Sequence, residues 1–127
     1  MTSAIKWMGI RKPLPEDNLV LMSTDGGEIW ASLPLYLDEV NHSPTGFEWG
    51  YGGSGPAQLS YAILRTFEEI TLGISPEWAK GYAQIYHQQF KWDIVCNRFG
   101  RSDSWELTSE EVGSWLRDEM KRRDKEV

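Results

Sequence analysis

The sequence predicts an α+β fold: a small antiparallel sheet of three to five N-terminal strands packed against about three C-terminal helices. Three features carry this. Two apolar runs, Leu19–Ser23 and Glu28–Leu33, are separated by Asp25-Gly26 and Gly27, which supply the positive φ that a tight hairpin turn demands. From Pro56 onward the apolar residues recur at helical spacing. Near the end, Thr108 and Glu111 form a T-x-x-E capping box ahead of Val112, Trp115 and Leu116.

Taken in order, Ala4 to Ile10 mixes β-branched and aromatic residues and stops at Arg11-Lys12-Pro13-Leu14-Pro15, whose prolines cannot continue a ladder. The hairpin follows, and Leu35 to Val40 extends the sheet. In the first helix Leu59, Ala62, Ile63, Phe67 and Ile70 share a face, with Ser54 or Gly55 as cap and Pro56 in the first turn. Gly73 and Ser75-Pro76 break it. A second helix then carries Trp78, Tyr82, Ile85, Tyr86, Phe90 and Ile94 on one apolar stripe, the usual mark of a core face. Trp105-Glu106-Leu107 adds an edge strand, and the third helix starts near Ser109. No repeat or long linker interrupts the chain, so residues 1–127 read as a single domain.

Composition bounds the function. With 127 residues, 40% hydrophobic and 13% aromatic including seven tryptophans, the chain can build its own core. Its longest aliphatic run, Leu19 to Met22, is far too short for a membrane span, and the N-terminus lacks a signal-peptide core. A lone Cys96 excludes an internal disulfide framework; a cytoplasmic setting is expected. Thirteen basic against nineteen acidic residues give −6, which argues against general nucleic-acid binding. The basic cluster Lys121, Arg122, Arg123 and Lys125 closes a helix that opens with Glu110 and Glu111, and so complements its dipole. So many aromatics in so short a chain also suit a homodimer.

The densest information lies in His42 to Leu59, HSPTGFEWGYGGSGPAQL. In an extended conformation Phe47, Trp49 and Tyr51 project from one face. Gly52, Gly53, Ser54 and Gly55 then lead into a helix whose first N–H groups attract anions. This makes His42, Trp49, Tyr51, Gly52, Gly53, Ser54, Gly55 and Gln58 the candidate ligand-binding residues, for a small anionic, nucleotide-like molecule. The bland alternative is that the glycines only let the aromatic segment pack under a helix. Gly50, Gly52 and Gly55 match G-x-G-x-x-G, but a helix rather than a second parallel strand follows, and no Lys-Ser/Thr pair completes a nucleotide-hydrolysing loop.

Catalytic patterns are absent from the sequence. Ser54 does not sit in G-x-S-x-G, because Pro56 fills the second glycine place. His42 and His87 are the only histidines, and nothing in the sequence brings them together. Glu68-Glu69 and Glu110-Glu111 look like solvated faces. No metal, no cofactor and no catalytic residue is expected, and the sequence leans away from an enzyme while leaving one open.

The segment LPLYLDEVNHSPTGFEWGYGGSGPAQLSYAIL resembles a family of short uncharacterised proteins encoded by bacteriophages, prophages and bacterial genomes, with its Asn-His-Ser-Pro-Thr-Gly turn and Phe-Glu-Trp-Gly-Tyr-Gly-Gly-Ser-Gly-Pro-Ala-Gln segment. Tyr86 to Val95, Trp105 to Thr108, and Trp115-Leu116 are similar to the family's later helices, so the resemblance spans residues 33 to 116. It implies a mobile-element setting without an established chemistry. The leading expectation is therefore a phage-encoded protein that blocks a host defence protein by stoichiometric binding, in the host cytoplasm, with exposed aromatics as anchors. Trp7, Trp30 and Trp92 lie outside the helix stripes and are the candidates. The alternatives are a nucleotide sequesterer built on the glycine segment, and a small hydrolase using Ser54, His42 or His87.

Overall fold

The computed structural model of the chain describes residues 4–13 and 16–125; Leu14 and Pro15 of the proline loop lie outside them. Four strands, β1 (Lys6–Ile10), β2 (Leu19–Ser23), β3 (Ala31–Ser32) and β4 (Ser104–Thr108), form an antiparallel sheet in the order β3-β2-β1-β4. Three helices, α1 (Ser54–Thr66), α2 (Pro76–Phe90) and α3 (Ser109–Lys125), complete the α+β fold. The expected class is therefore the observed one. Wider π-helical turns extend α1 through Phe67–Thr71 and α2 through Lys91–Arg98.

Alternation and register together build the inner face of the sheet. Trp7 pairs with Met22 and Leu107, Gly9 with Val20 and Trp105, so one face is apolar across the three main strands. The Trp105 indole occupies the space over Gly9, stacks on Phe99 with centroids 4.1 Å apart, and takes the Trp49 ring edge-on at 5.8 Å. Gly26 and Gly27 do adopt positive φ. The strand beyond them, however, shrinks from Glu28–Leu33 to two residues, because the exposed Asp25 carboxylate accepts from the N–H groups of Glu28 and Ile29 and holds them in a loop.

At the other end the capping box forms as read. Thr108 Oγ1 accepts from Glu111 N, Glu111 Oε1 accepts from Thr108 N, and α3 begins at Ser109.

Three expectations are corrected. Leu35–Val40 is no strand: Tyr36 takes φ +59°, and the N–H groups of Glu39 and Val40 return to its carbonyl. Phe47, Trp49 and Tyr51 do not share a face, for reasons given below. On α2 the buried face is Ala79, Ala83, His87 and Phe90, whereas Trp78, Tyr82 and Ile85 are exposed. The small residues face inward because α1 is buried along its whole length, Gly55 through Thr66, and leaves little room beside it. Among the tryptophans outside the stripes, Trp7 is fully buried, Trp30 is half-buried and Trp92 is exposed.

Glu68, read as solvated, is also corrected. The π-helical turn carries it inside, where neither carboxylate oxygen has a hydrogen-bond partner among the described residues. Burial pushes its carboxyl up to about 8, against the opposing pull of the Arg65 cation. It is therefore neutral in the fold at pH 7, while the unfolded chain loses the proton above about 4.5. Stability from this group is complete below that value and is lost as pH rises toward 8. By neutral pH the loss amounts to roughly 3 kcal/mol. Urea unfolding at a series of pH values should show that decline in the native protein and a flatter profile in Glu68→Gln; equal slopes would place the carboxyl in contact with water.

Candidate functional site

The segment from His42 to Gly55 has no ladder to satisfy its backbone, so its shape depends on side chains and tight turns. Gln58, on α1, is fully buried and supplies the first anchor. Its Oε1 accepts from the N–H groups of His42 (2.7 Å) and Ser43 (3.2 Å), and its Nε2 donates to the carbonyls of Leu35 (2.6 Å) and Val40 (2.9 Å). Every hydrogen-bonding position of the amide is thus engaged within the protein, and Gln58 presents nothing to a ligand.

Gly50 is the second anchor. At φ +90° it sits in a conformation that favours glycine, donates its N–H to the Val95 carbonyl at 3.0 Å, and lies so close to the Gly100 carbonyl that a side chain would collide. This bend ends the alternation. Phe47 and Trp49 enter the core, Trp49 donating its Nε1–H to Ser102 O at 2.8 Å under the Arg11 guanidinium, while Tyr51 turns outward.

Beyond the bend, the glycines are covered by the protein's own rings. Trp92 lies over Gly52 and Tyr51 over Gly53, each where a Cβ would otherwise stand. Lys91 donates to the Gly52 carbonyl at 3.2 Å and lies 4.5 Å from the centre of the Trp92 ring. The Tyr51 and Trp92 rings remain 47% and 48% exposed, so the turn forms the floor of an aromatic platform. Gly53, rather than Ser54 or Gly55, is the N-cap of α1.

A cleft of about 520 Å³ opens beside the platform, and Arg11, Lys12, Tyr51, Ser54 and Gly55 all border it. Its positive character is offset by Glu16, Asp17 and Glu48, and Arg11 already pairs with Glu48 at 2.7 Å. Glu48 also packs against Gly55, placing a carboxylate beside a helix start that has no acid of its own.

The two histidines do meet, although 45 residues separate them. His42 Nε2 and His87 Nε2 are 3.0 Å apart, with ring centres 5.2 Å apart, so both nitrogens lie almost on the line between the rings. That is the geometry of an N–H···N hydrogen bond, not of two donors converging on an ion. His87 Nδ1–H is shared between the carbonyls of Ala83 and Gln84, so its Nε2 must accept from His42. Ser54 borders the cleft, which contains neither histidine. Among the described residues no three His, Cys, Asp or Glu side chains gather to hold a metal ion, and no helix is long and apolar enough to cross a membrane.

Arg65 forms a second internal cluster that the sequence did not disclose. It grips Glu39 through Nε (2.9 Å) and Nη2 (3.2 Å), and Glu39 also accepts from the Tyr61 hydroxyl at 2.7 Å. Burial and the Glu39 carboxylate raise the Tyr61 pKa far above its ordinary value, so the hydroxyl keeps its proton. These groups are tied to one another, and Arg65 Nη1 also reaches Glu69 at 3.2 Å.

Burial pulls the His87 imidazole below its ordinary 6.5, only partly opposed by the Gln84 and Ala83 carbonyls. A depressed folded value means that its stabilisation is complete above 6.5 and is lost as pH falls through the folded pKa. In an NMR titration the His87 midpoint should fall below 6.5; a midpoint at or above that value would contradict the buried pair. Replacing Gln58 with Leu orphans four backbone groups and should lower unfolding stability by about 2–4 kcal/mol. A loss under about 0.5 kcal/mol would show that water replaces the amide freely.

Comparison with curated proteins and with solved structures finds no match. Residues 15–118 match the model of a family of unknown function (DUF6166), and the chain belongs to that family.

Proposed function

We propose that the chain is a non-enzymatic protein-binding module of phage or mobile-element origin that blocks a host protein, a defence component, by stoichiometric docking. The observation that carries this reading is the platform of Tyr51 and Trp92, two half-exposed rings packed over Gly53 and Gly52. Large aromatic side chains already fixed in place lose little entropy on binding, which is why they dominate protein interfaces. Gln58, His87 and Arg65 are each engaged by partners within the protein, which leaves the exposed rings as the more accessible feature of this region. The mobile-element setting rests on the sequence resemblance, and the host protein follows from that setting.

A second reading, capture of a nucleotide-like anion, is favoured by Arg11, Lys12 and Tyr51 around the start of α1. It ranks lower because three carboxylates share the cleft and the glycine turn is already covered. Native mass spectrometry separates the two: a retained mass in the nucleotide range supports capture, and a bare protein supports docking. For the docking reading, affinity capture from host lysate should retain one host protein in a 1:1 ratio. Tyr51→Ala and Trp92→Ala should each weaken that complex about tenfold or more while the fold persists. Capture unaffected by both substitutions removes the platform as the docking surface.

A further inference from the structure

A separate surface lies on the outer side of α2. Trp78, Tyr82 and Ile85 are 67%, 37% and 57% exposed, on the side of the helix away from buried Ala79, Ala83 and His87. The rings of Trp78 and Tyr82 lie 6.4 Å apart and form the start of a ridge that Ile85 continues. This ridge is distinct from the Tyr51 and Trp92 platform, and an inference about it stands independently of the docking reading.

We infer that a second copy of this chain occupies the ridge, with the two α2 helices packed antiparallel across a two-fold axis beside Gly81 and Tyr82. Charge supports a self-contact. The chain carries −6, so two copies repel unless they meet away from its acidic groups, and the ridge segment Trp78 to Ile85 contains no Asp or Glu, its one charge being Lys80. Spacing supports the axis. Trp78 and Ile85 stand symmetrically about the Gly81–Tyr82 pair, so antiparallel packing seats each Trp78 on the other copy's Ile85. The same operation brings each Tyr82 ring over the other copy's Gly81, where, beyond its own helix backbone and chain neighbours, no described residue lies within 4 Å of the missing side chain. Antiparallel helix dipoles add to the fit.

Sedimentation velocity of the full chain over about 1–300 µM tests it. The expected result is a reversible monomer–dimer equilibrium that Ile85→Asp shifts to at least tenfold higher concentration, with circular dichroism unchanged because the side chain is exposed. In a Cys96→Ser background, Tyr82→Cys should form a disulfide between copies under mild oxidation, whereas Lys80→Cys, also exposed but off the ridge, should stay reduced. A monomer at every concentration overturns the proposal, as does a dimer indifferent to Ile85→Asp or equal cross-linking at both positions. The platform variants Tyr51→Ala and Trp92→Ala should leave the equilibrium unmoved, so failure here is distinguishable from failure of the docking reading.

Discussion

The side-chain amide of Gln58 holds together a loop that has no secondary structure to hold itself. Leu35 to Ser43 runs along α1 half-buried, and four of its backbone polar groups end on that one buried amide. A buried backbone group without a partner costs about as much as a broken hydrogen bond, so the loop cannot lie there unless α1 provides for it. Other polar side chains of α1 continue the service. Thr66 meets the Tyr36 hydroxyl, Tyr61 and Arg65 meet Glu39, and the Arg65 guanidinium lies over the Tyr36 ring. This is why a helix buried along its whole length contains Gln, Arg and Thr: they face the loop, not solvent. Once that loop is set, His42 is placed to reach His87, and through it α2 is fixed.

Features decided by neighbours in sequence were legible. The glycines after β2, the Thr108–Glu111 box, the switch to helical spacing and the edge strand at Trp105 all depend on contacts within a few residues or on simple alternation. Features decided by distant partners were not. Leu35 to Val40 has the composition of a strand, yet its backbone groups find a side chain on α1 in place of a neighbouring strand. On α2 the large apolar residues pointed to the core, and Phe90 does enter it, but in the first turns a closely packed α1 faces Ala79 and Ala83 while Trp78, Tyr82 and Ile85 stay outside. The pair Glu68 and Glu69 looked equivalent; a π-helical turn separates their fates by burying the first. No local signal announces such a turn.

The candidate site was legible as a place and not as a role. The density of glycine between Gly50 and Gly55 marked a constrained backbone, and the structure supplies the constraint: a bend against Gly100 and rings packed onto Gly52 and Gly53. Trp92, one of the tryptophans set apart from the helix stripes, is the ring that lies on this turn. Gln58 and His42, which sequence grouped with the turn as ligand contacts, belong instead to the scaffold behind it.

The orientation of α2 then becomes a question of competing forces. Burial of apolar area favours a helix turned so that Trp78, Tyr82 and Ile85 face inward, since each large side chain removed from water contributes roughly 1.5–3 kcal/mol. The observed helix presents alanines inward instead. Polar ties oppose the rotation. His87 is bonded to His42, Lys91 to the Gly52 carbonyl, and Asp93 to the Trp115 indole, each fixing the helix at a different height and to a different element. Turning α2 would break all three and drive rings into the space that Ala79 and Ala83 leave for α1, where overpacking costs about 1–3 kcal/mol per site. The apolar ridge outside is thus held there by specific bonds, against the direction in which hydrophobic burial within one chain would move it. Burial of that same area by a second molecule satisfies both demands at once, because it removes the ridge from water without disturbing the ties.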